Sequence, residues 1–173
     1  ETPLHIALSW GCNDASIIKL LITPEVLTMV DGFGRTPLHI ALSWGCNDAS
    51  IIKLLITPEA LTMIDKDGLT PLHITLSWGC NDASIIKLLI TPEILTMVDD
   101  SNRTPLYMAL IRGWNDAAII KLLITPEILT MDDNWCRTPL HLALNGGSNN
   151  IEIIKLLITP EALTMNDKWG RTP

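Results

Sequence analysis

Four histidines, His5, His39, His73 and His141, stand at one repeated position of the chain, and three of its four cysteines, Cys12, Cys46 and Cys80, stand at another. An imidazole can serve as a general base near neutral pH, and a thiolate as a nucleophile or zinc ligand. The carboxylates of Asp14, Glu25 and Asp31, which also recur at fixed offsets, could work as an acid and base pair. Each of these chemistries needs one distinct site whose surroundings shift the group, and a residue copied at regular intervals does not make one. Zinc needs ligands at short spacing, yet neither Cys-x-x-Cys nor His-x-x-x-His occurs. The sequence also carries no phosphate-cradling glycine loop, Ser-centred nucleophile elbow or dinucleotide fingerprint. The chain is therefore expected not to be an enzyme and to use no metal or cofactor. Its acidic residues read as helix caps and solvated faces.

What positions these residues is a repeat. Thr-Pro-Leu begins at Thr2, Thr36, Thr70, Thr104 and Thr138, and Thr172-Pro173 opens a further copy, so the period is 34 residues. The first two copies differ only at Val26/Ala60, Val30/Ile64, Gly32/Lys66, Phe33/Asp67 and Arg35/Leu69. This divides the chain into repeats at 2–35, 36–69, 70–103, 104–137 and 138–171, with 172–173 starting a sixth, in one continuous solenoid. A module this short cannot bury its own apolar face and must lean on its neighbours.

Within a module, the Thr2 hydroxyl can cap a helix whose first turn holds Pro3, where the missing N–H costs nothing. Leu4, Ala7 and Leu8 then share one face, and Gly11 can supply the left-handed residue that ends the helix. Asn13 or Asp14 caps a second helix carrying Ile17, Ile18, Leu20, Leu21 and Ile22, apolar on nearly all sides except at Lys19. Thr23-Pro24 stops it. Pro24 to Leu27 can add one helical turn, and Thr28 to Asp31 reads as extended chain into a turn at Gly32 to Gly34.

Thr2-Pro3-Leu4-His5-Ile6-Ala7, its copy Thr36 to Ala41, and Thr70 to Thr75 closely resemble the Thr-Pro-Leu-His-x-Ala signature of ankyrin repeats, as do Lys19-Leu20-Leu21 and Gly34-x-Thr36. The resemblance covers essentially the whole chain. It implies an all-α, ankyrin-type helical solenoid of stacked helix-turn-helix repeats with projecting turns. It also implies that the repeated histidine bonds locally to hold turn and helix together. The sequence departs from the family in a longer inter-helix link, Cys12 to Ser16, and in Thr-Pro-Glu-x-Leu-Thr-Met after the second helix. Repeat four has Tyr107 in place of His, and in repeat five Gly146-Gly147 is expected to break the first helix.

Composition narrows the partners. With 173 residues, 47% apolar and mean hydropathy +0.30, the chain must bury a core. A net charge of -7 repels phosphate backbones and anionic lipid, so neither nucleic acid nor membrane is an expected partner. Lys19 and its copies interrupt every apolar run before it reaches membrane-spanning length. No targeting signal is visible, and the compartment stays open. Stacking would set Cys12, Cys46 and Cys80 about 10 Å apart, beyond the ~7 Å that a disulfide spans. Unpaired thiols point to an intracellular, reducing setting. Asn102-Arg103-Thr104 matches a glycosylation sequon, a short pattern that also arises by chance.

The informative residues are apolar ones that no core demands. Ser9-Trp10, Ser43-Trp44 and Ser77-Trp78 end the first helices, where the ankyrin resemblance implies partner contacts on the concave side. These indoles either project as a ladder or fold between neighbouring helices. Ile6 with Trp10, Ile40 with Trp44 and Ile74 with Trp78 would share a face as an apolar stripe. Arg112 and Trp114 fall in the same stretch of repeat four. The turns vary most between copies, and Phe33, Arg35, Trp135 and Trp169 at their tips complete the contact candidates. Two functions follow: a scaffold for protein partners, or a structural subunit stacking end to end on itself into a filament. The second draws on Thr2-Pro3 and Thr172-Pro173 sharing one phase, with repeat five, through Asn145, Asn149, Asn150 and Glu152, as a partial cap.

Overall fold

The computed structural model describes residues 1–78, 82–146 and 150–173. Among them every regular element is helical. The chain forms two compact units, Glu1–Ile90 and Thr91–Pro173.

The N-terminal unit holds α1 (Pro3–Ser9), α2 (Ala15–Leu21), α3 (Pro24–Thr28), α4 (Pro37–Ser43), α5 (Ala49–Leu55), α6 (Pro58–Thr62), α7 (Pro71–Trp78) and α8 (Ala83–Leu89). The expected extra turn is thus a short third helix. The starts follow local chemistry: the Thr2 and Thr36 hydroxyls accept from the backbone N–H of His5 and His39, and Asp14 and Asp48 accept from Ser16 and Ser50. Gly11 and Gly45 have φ of +73 and +72, the left-handed turn that ends α1 and α4.

Packing repeats with the sequence. Helix α1 lies on α4 and α4 on α7, α2 on α5 and α5 on α8, and α3 on α6. Residues 2–25 and 36–59 are identical, so any difference in burial between them comes from the neighbours alone. Ile6 is 47% exposed and its copy Ile40 2%, while Ile17 is 46% exposed and Ile51 0%. The repeat in front accounts for that difference. The expected Ile–Trp stripe therefore does not exist beyond repeat one, because Ile40 and Ile74 are core.

Histidine sits between module and turn, as the resemblance implied. The His39 Nδ1 accepts from the Thr36 backbone N–H at 3.2 Å, and its Nε2 lies 3.0 Å from the carbonyl of Leu69. A carbonyl only accepts, so Nε2 carries the proton and the ring is neutral. His5 reaches Arg35 and His141 reaches Arg171 in the same way. Burial pushes the His39 imidazole below its usual range, outweighing the bond to Leu69 that favours the charged form. Unfolding exposes a ring with an ordinary value near 6.5, so the unfolded chain binds the extra proton first. Stability is complete above that pH and falls below it, by up to ~1.4 kcal/mol per pH unit for this group until its folded value is passed. A denaturation midpoint lower at pH 5 than at pH 7.5 is the expected result, and an unchanged or higher midpoint contradicts it.

The C-terminal unit holds α9 (Pro92–Thr96), α10 (Pro105–Ile111), α11 (Ala117–Leu122), the 3₁₀ turn Ile128–Thr130, α12 (Pro139–Asn145), α13 (Ile151–Leu157) and a second 3₁₀ turn, Ala162–Thr164. Helix α10 packs on α9 and α12, and α11 on α13. Gly146 does not break the first helix of repeat five: α12 runs its full seven residues and Gly146 is its C-cap. Gly147, Asn149 and Cys80 lie outside the described residues. Asn102 and Cys136, with φ of 59 and 58, hold the left-handed turn position that Gly34, Gly68 and Gly170 occupy elsewhere. Tyr107, at the histidine position, donates its phenol to Asp133, and burial together with that carboxylate pushes the phenol up from its ordinary value.

Candidate functional site

The turns are built by one carboxylate each. Asp31 Oδ1 accepts from the backbone N–H of Phe33 at 2.8 Å and of Arg35 at 2.9 Å, while Oδ2 pairs with the Arg35 guanidinium at 2.7 Å. Asp99, Asp133 and Asp167 repeat the arrangement with Arg103, Arg137 and Arg171. Asp65 binds the N–H groups of Asp67 and Leu69. These aspartates were expected on solvated faces, and the structure corrects that: Asp99, Asp133 and Asp167 are buried and the Asp31 carboxylate nearly so. Burial would raise the Asp31 and Asp133 carboxyls, but the arginine and backbone bonds outweigh it and hold both below the usual range. The signal was present in the sequence, since this position stays Asp in every turn while its neighbours change.

Fixing the arginine fixes the aromatic tip. Arg35 stacks on Phe33 at 5.0 Å, Arg137 on Trp135 at 5.0 Å and Arg171 on Trp169 at 4.9 Å. Each tip thus presents an exposed ring backed by a planar cation already neutralised by its Asp. Successive turns are tied through the backbone, Lys66 N–H to Phe33 C=O at 3.0 Å and Lys168 N–H to Trp135 C=O at 2.9 Å.

The indoles that the sequence left in two possible places project into solvent. Trp10, Trp44 and Trp78 are 86%, 65% and 71% exposed. Trp10 and Trp44 are C-caps and Trp78 the last residue of α7, so each leaves its helix where no packed face remains. Ser9, Trp10, Gly11 and Trp44 line a mainly apolar groove of about 500 Å³. Phe33, Arg35, Ser43 and Trp78 meet with Lys66 and Asp67 around another of about 440 Å³. The structure therefore brings turn tips and tryptophans of the N-terminal unit to shared grooves.

Other candidates fare differently. The hydroxyls of Ser9, Ser43 and Ser77 donate to carbonyls of their own helices, at 2.9, 2.7 and 2.7 Å, which accounts for their protons. Arg112 caps α10 at the register of Trp10, whereas Trp114 is half-buried at the register of Cys12. Trp135 and Trp169 belong to the C-terminal unit's turns. Among the described residues no His, Cys, Asp and Glu cluster could hold a metal ion, and no helix is long and apolar enough to cross a membrane.

A family model described as ankyrin repeats (3 copies) matches residues 1–60 and 46–132, and one described as ankyrin repeat matches 135–166. No curated protein matches the chain.

Proposed function

Since the chain belongs to the ankyrin repeat family, whose repeats are protein–protein interaction modules, we propose that it is a non-enzymatic scaffold that binds a protein partner through the tryptophan ladder and turn tips of its N-terminal unit. The observation that carries this reading is the exposure of Trp10, Trp44 and Trp78 beside a complete core. Exposed indoles gain free energy by being covered, and tryptophan is prominent among the residues that carry binding energy at interfaces. Alanine at all three removes most of the gain while leaving the packed helices intact. The triple variant is expected to melt within a few degrees of the parent and to lose partners that the parent retains from lysate. Retention of every partner by the variant would count against the ladder.

A further inference from the structure

Resting on the scaffold reading above, we infer that the tryptophan ladder takes an arginine-bearing segment of its protein partner, each guanidinium lying between a ladder indole and the aspartate four residues after it. The argument starts from the turns. Three of them hold a guanidinium 4.9 to 5.0 Å from an aromatic ring and 2.6 to 2.7 Å from a carboxylate: Arg35, Arg137 and Arg171, with their rings and aspartates. The ladder carries the same ring and the same carboxylate without the cation. Trp44 is followed by Asp48 and Trp78 by Asp82, and among the described residues neither aspartate has an ion pair.

Both groups are open to a ligand. Trp44 is 65% exposed with a repeat on either side of it, and Asp48 and Asp82 are exposed as well. Trp44, Asp48 and Asn13 line one groove of about 660 Å³, whose wall contains no lysine or arginine. The Asp48 Oδ1 accepts from the Ser50 N–H at 2.8 Å and from its hydroxyl at 2.6 Å. Oδ2 has no hydrogen-bond partner among the described residues and faces no competing donor. The Ser50 and Ser84 hydroxyls, with their backbone N–H groups, hold the Asp48 and Asp82 carboxyls below their usual range, so both are charged at neutral pH. Arginine suits this pair better than lysine, because its planar group stacks on an indole while donating sideways to a carboxylate. A net charge of -7 draws such a segment in.

Spacing narrows the segment further. Asp48 and Asp82 cap α5 and α8, which pack on one another, and packed helices lie about 8 to 10 Å apart. In a polyproline II segment, residues three apart share a face and lie about 9 Å apart. Arg-x-x-Arg in that conformation therefore meets both pairs at once.

The test measures fluorescence anisotropy of a labelled peptide, Pro-Pro-Arg-Pro-Pro-Arg-Pro-Pro, on the whole chain. The parent should bind it at least about 10-fold tighter than the same peptide with citrulline for arginine, and several-fold tighter than one with the two arginines adjacent. Asp48→Asn with Asp82→Asn keeps both helix caps and should lower affinity about 10-fold. Glu25→Gln with Glu59→Gln removes the same charge elsewhere and should change it little. Trp44→Leu with Trp78→Leu, which keeps apolar cover but no ring face, should also weaken binding several-fold. Circular dichroism melts confirm folding, and serine at both aspartate positions repeats the test if the asparagine variant does not fold. No preference for arginine over citrulline, or equal losses from the aspartate and glutamate pairs, overturns the arginine assignment. The ladder reading itself falls only if the triple tryptophan variant keeps every lysate partner.

Discussion

Replacing Ile51 with Ala should destabilise the chain by about 3 to 4 kcal/mol, the cost of lost burial plus the cavity left behind. The same replacement at Ile17 should cost less than about 1 kcal/mol, because nearly half of that side chain is already in water. The two residues sit in identical helices, with identical sequence for many residues on either side. Propensity, capping and the unfolded chain are matched, and only the neighbour differs: α2 packs on α5, and α5 is covered in turn by α2 and α8. Urea unfolding at low protein concentration reads both values. Equal costs would mean that the repeats do not depend on one another for burial.

That comparison also marks where reading the sequence reaches its end. Helix starts at Pro3, Pro37 and Pro105 were legible because a threonine cap and a proline in the first turn act within one turn of chain, and the stop at Gly11 was legible for the same reason. The burial of Ile40 against the exposure of Ile6 was not, since no single helix carries information about what lies in front of it. The direction of the indoles stayed open because tryptophan suits both core and surface. The role of Asp31 and its copies was missed although its signal was local: two backbone N–H groups and an arginine within four residues all converge on one carboxylate. The pairing of Tyr107 with Asp133 spans 26 residues and depends on how one turn lies over the next helix. Cys136 could have been aligned with Gly34 and Gly170, which would have placed it in a left-handed turn.

Asp133→Ala is the second large effect. The carboxylate is fully buried and receives the Trp135 and Arg137 backbone N–H groups, the Arg137 guanidinium and the Tyr107 phenol. Removing it leaves the buried phenol's proton without an acceptor and the partly buried guanidinium with only the Tyr107 oxygen to donate to. Breaking a buried pair from one side costs several kcal/mol, and Arg137's partial exposure to water brings the expected loss to about 3 kcal/mol. Tyr107→Phe in the same background should restore part of it, because the stranded hydroxyl is gone. Thermal unfolding of the single and double variants measures the coupling. Strictly additive losses would show that phenol and carboxylate do not share a bond.

The central claim is that the stacked repeats bury a complete core and hold Trp10, Trp44 and Trp78 out in water, where they are free to meet a partner. The most direct measurement is fluorine NMR of the chain carrying 5-fluorotryptophan at its six tryptophans, each resonance assigned by a single Trp→Phe variant, recorded in H₂O and in D₂O. The three ladder resonances should show the large solvent-isotope shift of indoles in contact with water. Shifts near zero at these positions would place them inside the stack and contradict the account.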